Sequence, residues 1–150
     1  HSSHRRQRQM CIRDSTDILQ KLVKKNGFIG LSLYPYHLKN LGDCTIEDFC
    51  EMIKELVNLI GEDNIGIGSD LCLNWPDDVV MWMRNGKWTK NIDYGESKDK
   101  NPKWPKLPSW YKQPSDLNNL FYLMCENNIP EKVSTKIIGQ NWFNFMKNQF

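Results

Sequence analysis

The sequence predicts an α/β protein, and three observations support this class. Two short apolar runs, residues 28–34 and 65–70, are typical of strands that are buried on both faces. Between them, apolar residues recur every three or four positions from Ile46 to Ile60, which is the period of an amphipathic helix. Two buried strands joined by one such helix predict a parallel βαβ unit with a right-handed crossover.

A further helix is predicted before the first strand. Ser15 or Thr16 can cap its start, and the pair Asn26-Gly27 is a usual signal for its end. Pro35 ends the first strand because proline has no N–H to donate to a sheet, and the residues after it are expected to form a loop. Thr45 is then predicted to cap the crossover helix.

Helices are also predicted after the second strand, where they would cover the sheet. One starts at Pro76, and another is expected to be capped by the Ser115-Asp116 pair. A short helix begins at Pro130 and is expected to stop at Gly139, before a last apolar segment over residues 142–146.

Residues 75–114 are rich in tryptophan and proline and are predicted to form a lid-like insertion. Flexible linkers lack so many large aromatic side chains, so we expect an ordered segment. Two interpretations stay open. The insertion is either a surface flap that its tryptophans hold to the body, or a lid that closes over a ligand.

Composition and charge exclude several classes of protein. The chain of 150 residues has the length of one ordinary domain and no apolar run long enough to cross a bilayer. Four arginines and one aspartate give the first fifteen residues a charge of +3, which leaves −1 of the formal +2 for the rest. Without a basic face we expect no nucleic-acid partner. The later cysteines show no CxxC pair and are expected to be reduced, which favours the cytoplasm, although one disulfide stays open.

Residues 1–15 are treated separately from the fold. The run from Arg5 to Asp14 fits, codon by codon, the translation of a transposon-end sequencing adapter. We therefore expect an artefactual or disordered leader, the alternative being a genuine basic tail or loop. On this interpretation His1 is not a ligand, and His37 alone is no metal site.

Asp70 is the strongest single candidate for a functional residue. It ends the second predicted strand, after two glycines, in the run IGIGSD. A polar residue at the carboxyl end of a parallel strand lies where α/β proteins usually place their chemistry. The alternative is that Asp70 caps the turn that follows.

Four segments occur in an order that is informative when they are taken together. They are residues 16–19 (TDIL), 27–35 (GFIGLSLYP), 65–70 (IGIGSD) and 139–143 (GQNWF). The second is similar to "GGVVGVNFYP", the third to "VGLGSDFDG" and the fourth to "GGNFLR". All three patterns come from the C-terminal portion of the membrane dipeptidase family of zinc peptidases, which this chain resembles. The first segment resembles the Asp-rich start of the family helix that precedes the seventh barrel strand.

The resemblance implies a TIM (β/α)8 barrel, of which residues 16–150 would hold the last two parallel strands and their covering helices. It implies a hydrolase that cleaves dipeptides at a centre of two zinc ions, whose ligands lie on earlier strands. Asp70 then corresponds to a family aspartate that contacts the substrate amino group and assists proton transfer. Tyr34 corresponds to a tyrosine that lines the substrate pocket. The fragment alone is expected to be inactive.

Some matches and departures affect this interpretation. The His1-Ser2-Ser3 segment resembles a zinc-binding family segment, and Arg13 resembles a carboxylate-binding arginine. His1 is therefore a metal ligand only if the N-terminus is genuine. Cys72 and Leu73 replace an aspartate and a glycine of the family, and the insertion is longer than usual, which indicates a bacterial subgroup with a different lid.

The leading hypothesis is a fragment of a zinc-dependent dipeptidase that acts on dipeptides or related small amides, and it is compatible with a homodimer. One alternative is a non-catalytic module in which Trp88, Trp104 and Trp110 form an aromatic platform for sugars or peptides. Another is a different metal-dependent, amidohydrolase-like barrel.

Overall fold

In a computed structural model of the chain, residues 16–71, 73–79 and 104–149 are described. Two strands, β1 (Ile29–Ser32) and β2 (Ile65–Gly68), form a parallel two-stranded sheet. The pairing register runs from Ile29 opposite Ile65 to Ser32 opposite Gly68. This pairing confirms the predicted α/β class with two parallel strands, and it brings the carboxyl ends of both strands to one edge of the sheet.

The helices pack around this sheet and are numbered in chain order. Those that the structure describes are α1 (residues 16–24), α2 (Ile46–Ile60), α3 (Asp116–Glu126), α4 (Glu131–Thr135) and α5 (Asn141–Gln149). Short 3-10 turns at Pro35–His37 and Leu41–Asp43 occupy the predicted loop after β1. The helix predicted from Pro76 is helical at residues 77–79, and its remainder lies outside the described residues.

Helix α2 is the crossover that the sequence predicts. Thr45 Oγ1 accepts a hydrogen bond from the Asp48 backbone N–H at 3.1 Å, so the predicted N-cap is confirmed. The helix ends at Gly61, whose φ of 81° is in the left-handed region that favours glycine. Phe49 and Ile53 on its inner face are fully buried in the hydrophobic core.

The two edges of β2 differ in what they contact. The backbone N–H of Ile29 donates to the carbonyl of Asn64, the residue before β2, at 2.9 Å. The backbone N–H and C=O groups of the even-numbered residues of β2 therefore face β1. Backbone groups alternate sides along a parallel strand. The carbonyls of Ile65 and Ile67 therefore lie on the outer edge, away from β1.

Helix α5 holds this outer edge. Asn141 Nδ2 donates to the Ile65 carbonyl at 2.8 Å and to the Glu62 carbonyl at 2.6 Å. Trp142 Nε1 donates to the Ile67 carbonyl at 2.8 Å. The C-terminal helix is thus fixed to β2 by side-chain hydrogen bonds as well as by apolar packing.

A charged contact supports the same attachment. Lys136 Nζ lies 2.5 Å from Glu62 Oε1 and 2.6 Å from Asp63 Oδ1, in the turn that enters β2. The hydrogen bonds that Lys136 donates to Asp63 and Glu62 raise its pKa above the usual value.

The cap of α3 differs from the prediction. Ser115 has helical backbone angles and its side chain makes no capping hydrogen bond. Asp116 instead accepts from the backbone N–H groups of Lys112 at 2.8 Å and Gln113 at 3.1 Å. These hydrogen bonds, first that from Lys112, lower the pKa of Asp116. The carboxylate therefore closes the turn before the helix.

The predicted stop at Gly139 is wrong. The helical path continues from α4 through a π-helical segment, Lys136–Gln140, directly into α5. Glycine costs a helix only about 1 kcal/mol relative to alanine. The packing of Ile137, which is fully buried in the core, outweighs that preference.

Candidate functional site

Asp70 lies just beyond the carboxyl end of β2, and its side chain is exposed. Its φ is 51°, a left-handed conformation that aspartate tolerates better than most residues. Residues held in sparsely populated backbone regions often cluster at functional sites. The position of Asp70 at this edge is as predicted, and its role stays a prediction.

Ser32 connects the ends of the two strands. Its Oγ lies 3.5 Å from Asp70 Oδ2, a long hydrogen bond that joins β1 to the residues after β2. The same oxygen accepts from the backbone N–H of Tyr34 at 3.1 Å and lies 2.9 Å from His37 Nδ1. One hydroxyl therefore contacts three groups at the edge of the sheet.

Tyr34 and His37 complete this cluster. Tyr34, the second predicted site residue, is half-buried directly after β1, and its ring centroid lies 5.4 Å from that of His37 in an edge-on arrangement. Pro35 begins the 3-10 turn between them, where side chains three positions apart lie over one another. The turn thus brings His37 back over the end of β1. We call Ser32, Tyr34, His37 and Asp70 the strand-end cluster.

The segment at residues 104–114 contacts the residue that precedes Asp70. Tyr111 is buried, and burial raises its pKa, an effect that a hydrogen bond with Ser69 opposes. Because Ser69 immediately precedes Asp70, this contact helps to fix the strand end. Residue Tyr111 of this segment therefore packs against the body of the protein.

The tryptophans of this segment point to a structural role. Trp110 is only 8% exposed, stacks on Phe49 with ring centroids 4.8 Å apart, and donates from Nε1 to the Cys44 carbonyl at 2.8 Å. Trp104 Nε1 donates to the Trp75 carbonyl at 3.0 Å. A buried Trp110 presents no face to a sugar, and Trp88 lies outside the described residues.

The described cysteines carry free thiols. Cys44 and Cys50 are buried, and burial raises the pKa of each to about 11. Both thiols are therefore protonated at neutral pH, which disfavours metal binding and nucleophilic attack, since both require a thiolate.

The described residues do not by themselves fit a zinc centre. Within residues 16–71, 73–79 and 104–149, no group of three or more His, Cys, Asp or Glu side chains lies close enough to hold a metal ion. A structural zinc site needs about four such ligands and a catalytic one about three. His1, the conditional ligand, lies outside the described residues.

Comparison with known proteins assigns the family. A sequence profile of the membrane dipeptidase family (peptidase family M19) matches residues 1–77, just over half of the chain. The chain belongs to the membrane dipeptidase family. The match begins at residue 1 and so includes the predicted leader, whose origin stays a prediction.

A solved structure agrees with the assignment of this dipeptidase-family chain. The crystal structure of an amidohydrolase from Pseudomonas aeruginosa aligns with a TM-score of 0.72 and 27% sequence identity. The alignment covers 88% of this chain and 39% of the amidohydrolase, so the chain spans well under half the length of that protein. No curated protein matches the chain significantly.

The sequence did not indicate two members of the strand-end cluster, Ser32 and His37, as site residues. Ser32 lies inside an apolar run, and His37 is a single histidine in a predicted loop. Their position in the chain could have indicated them. Polar residues at the carboxyl end of one parallel strand lie at the same edge of the sheet as Asp70 at the end of the other.

Among the residues that the structure describes, no helix combines the length and the apolar character needed to cross a bilayer.

Proposed function

We infer that this chain is the C-terminal part of a zinc-dependent dipeptidase that closes as a (β/α)8 barrel when complete. The substrate is a dipeptide or a related small amide. Asp70 binds the substrate ammonium group and assists proton transfer, and Tyr34 lines the substrate pocket. The zinc ligands are supplied by residues outside the described part of the chain.

The observation that carries this proposal is the exposed Asp70 carboxylate at the edge where both parallel strands end. A carboxylate is an acceptor that pairs well with an ammonium group through charge-assisted hydrogen bonds. Family membership supports a hydrolase, and enzymes with parallel α/β barrels usually bind their substrates at the carboxyl ends of the strands.

Exposed apolar side chains support the view that more sequence packs here. Ile18 on α1 is 64% exposed, and Phe143 on α5 is 68% exposed. These helices lie at the two ends of the described chain, and adjacent elements of a complete barrel would cover such side chains.

The proposal is tested by the substitution Asp70→Asn in the complete enzyme, with zinc present. We expect kcat/KM for a dipeptide to fall about 10²- to 10⁴-fold, since the variant loses both an ion pair and a proton-transfer group. The wild type should also prefer a free dipeptide over its N-acetylated form, and the variant should lose that preference.

A matched control is Asp77→Asn, which removes another exposed carboxylate shortly after the same strand. We expect this variant to keep nearly the wild-type kcat/KM. A fully active Asp70→Asn enzyme would contradict the role assigned to Asp70.

The amidohydrolase neighbour favours a second candidate, the hydrolysis of a small amide other than a dipeptide. The two candidates share the metal-dependent chemistry and differ in substrate. A panel of dipeptides, N-acylated amino acids and cyclic amides, assayed with the complete metal-loaded enzyme, separates them.

A further inference from the structure

We propose that His37 is a positioning residue that orients the Asp70 carboxylate through the Ser32 hydroxyl. The inference rests on the proposed function of Asp70 and deepens it. It assigns a role to two side chains of the strand-end cluster that the family resemblance left without one.

The geometry places Ser32 between the two titratable groups. Ser32 Oγ is 2.9 Å from His37 Nδ1 and 3.5 Å from Asp70 Oδ2. The backbone N–H of Tyr34 also donates to this oxygen, at 3.1 Å. The serine oxygen therefore accepts a hydrogen bond from a residue that follows β1, and the serine hydroxyl donates to Asp70, which follows β2.

The available protons decide the direction of this chain of hydrogen bonds. A serine hydroxyl has one proton to donate and two lone pairs to accept with. An ionised carboxylate only accepts, so the bond to Asp70 uses the serine proton, and the Tyr34 N–H uses one lone pair. In this arrangement the contact with His37 is a hydrogen bond only if His37 carries a proton on Nδ1, which donates to the remaining lone pair.

His37 is held where it can make this bond. Its backbone N–H donates to the Tyr34 carbonyl at 2.9 Å within the Pro35–His37 turn, and its ring packs edge-on against the Tyr34 ring. The Ser32–Asp70 hydrogen bond is the longest of the three, at 3.5 Å.

Steady-state kinetics of the complete, metal-loaded enzyme test the coupling. Ser32→Ala and His37→Ala should each lower kcat/KM about 3- to 10-fold, the size expected for one orienting hydrogen bond. The double variant should be no worse than Ser32→Ala alone, because His37 acts through Ser32. His37→Asn, which keeps a donor near the Nδ1 position, should recover most of the loss.

Lys39→Ala is the matched control in the same loop, since it removes an ion pair with Asp48 away from the strand ends. It should leave kcat/KM unchanged. Independent, multiplying effects of Ser32→Ala and His37→Ala would overturn the proposal, as would an His37→Asn enzyme as impaired as His37→Ala.

A second measurement does not depend on catalysis. Long-range ¹H–¹⁵N correlation spectra of the complete protein, at a pH where the imidazole is neutral, report which nitrogen of His37 carries the proton. We expect Nδ1–H in the wild type and a shift toward Nε2–H in Ser32→Ala. An Nε2–H tautomer in the wild type would overturn the proposal even if Asp70 proves essential. An Nδ1–H tautomer in an enzyme insensitive to Asp70→Asn would leave the hydrogen bonds supported and the proposed function wrong.

Discussion

Gly66, in the middle of β2, is a residue whose lack of a side chain is required by its neighbours. A Cβ atom at this position would lie 2.6 Å from Phe28 Cζ and 2.7 Å from Trp142 Cδ1. The two rings pack with centroids 4.4 Å apart, and Trp142 is hydrogen-bonded to the Ile67 carbonyl. Neither ring can move away without losing a contact.

The substitution Gly66→Ala is therefore expected to destabilise the protein by about 1–3 kcal/mol, the usual cost of overpacking. Urea denaturation followed by circular dichroism measures the change. Gly139→Ala is the matched control, because nothing lies within 4 Å of a Cβ there, and we expect it to be neutral or slightly stabilising. Equal losses for both variants would contradict the packing argument.

At the residue scale, the position of Asp70 was predictable because the signal is local: two glycines and an apolar run mark a strand end next to it. The link between Ser32 and Asp70 was not predictable, since it joins residues 38 positions apart and depends on strand register. The His37 contact depends on a 3-10 turn that no spacing rule specifies.

At the scale of elements, side-chain hydrogen bonds stabilise the start of α2. The Thr45 side chain accepts from the Asp48 N–H, one of the backbone donors that a helix start leaves without an intrahelical partner. Asp48 also pairs with Lys39 at 2.5 Å, and this hydrogen bond lowers the pKa of Asp48. Because the Lys39 side chain is exposed, this ion pair adds little to the capping by Thr45.

Thr45→Ala should lower the free energy of unfolding by about 1 kcal/mol, because it removes the cap without touching the buried face of α2. Thermal or urea denaturation measures the loss. Thr45→Ser retains the capping oxygen and should stay within a few tenths of a kcal/mol of the wild type. A serine variant as unstable as the alanine variant would show that the cap is not the cause.

The elements that were predicted well from local sequence have a strong apolar periodicity and clear residues that begin or end them. Both strands and α2 fall where the apolar pattern places them, within a few residues at each end. The region after Ile129 was harder, because Gly139 gives a local stop signal that buried packing at Ile137 outweighs. Tertiary contacts decided that case.

At the scale of the whole molecule, the C-terminal helix completes the structure around β2. Asn141 is 4% exposed and satisfies two backbone carbonyls, those of Glu62 and Ile65. A buried carbonyl without a donor is costly. This single side chain therefore joins the end of the described chain to the turn and strand that precede Asp70.

We expect Asn141→Ala to destabilise the protein by about 1–3 kcal/mol, as a buried acceptor loses its partner. Asn144→Ala, an exposed asparagine on the same helix, is the control and should change stability by less than about 0.5 kcal/mol. Denaturant unfolding compares the two. If they are indistinguishable, the hydrogen bonds of Asn141 do not hold the helix in place.

The outer edge of β2 has a consequence for assembly. An unpaired edge strand can pair with another strand through its free backbone groups. Here the Asn141 and Trp142 side chains already donate hydrogen bonds to the carbonyl oxygens of Ile65 and Ile67. If the complete protein closes as the proposed barrel, its first strand pairs with this same edge. Each of these carbonyl oxygens must then accept a second hydrogen bond, or the C-terminal helix must move away. Closure of the barrel and the position of the C-terminal helix would thereby be coupled.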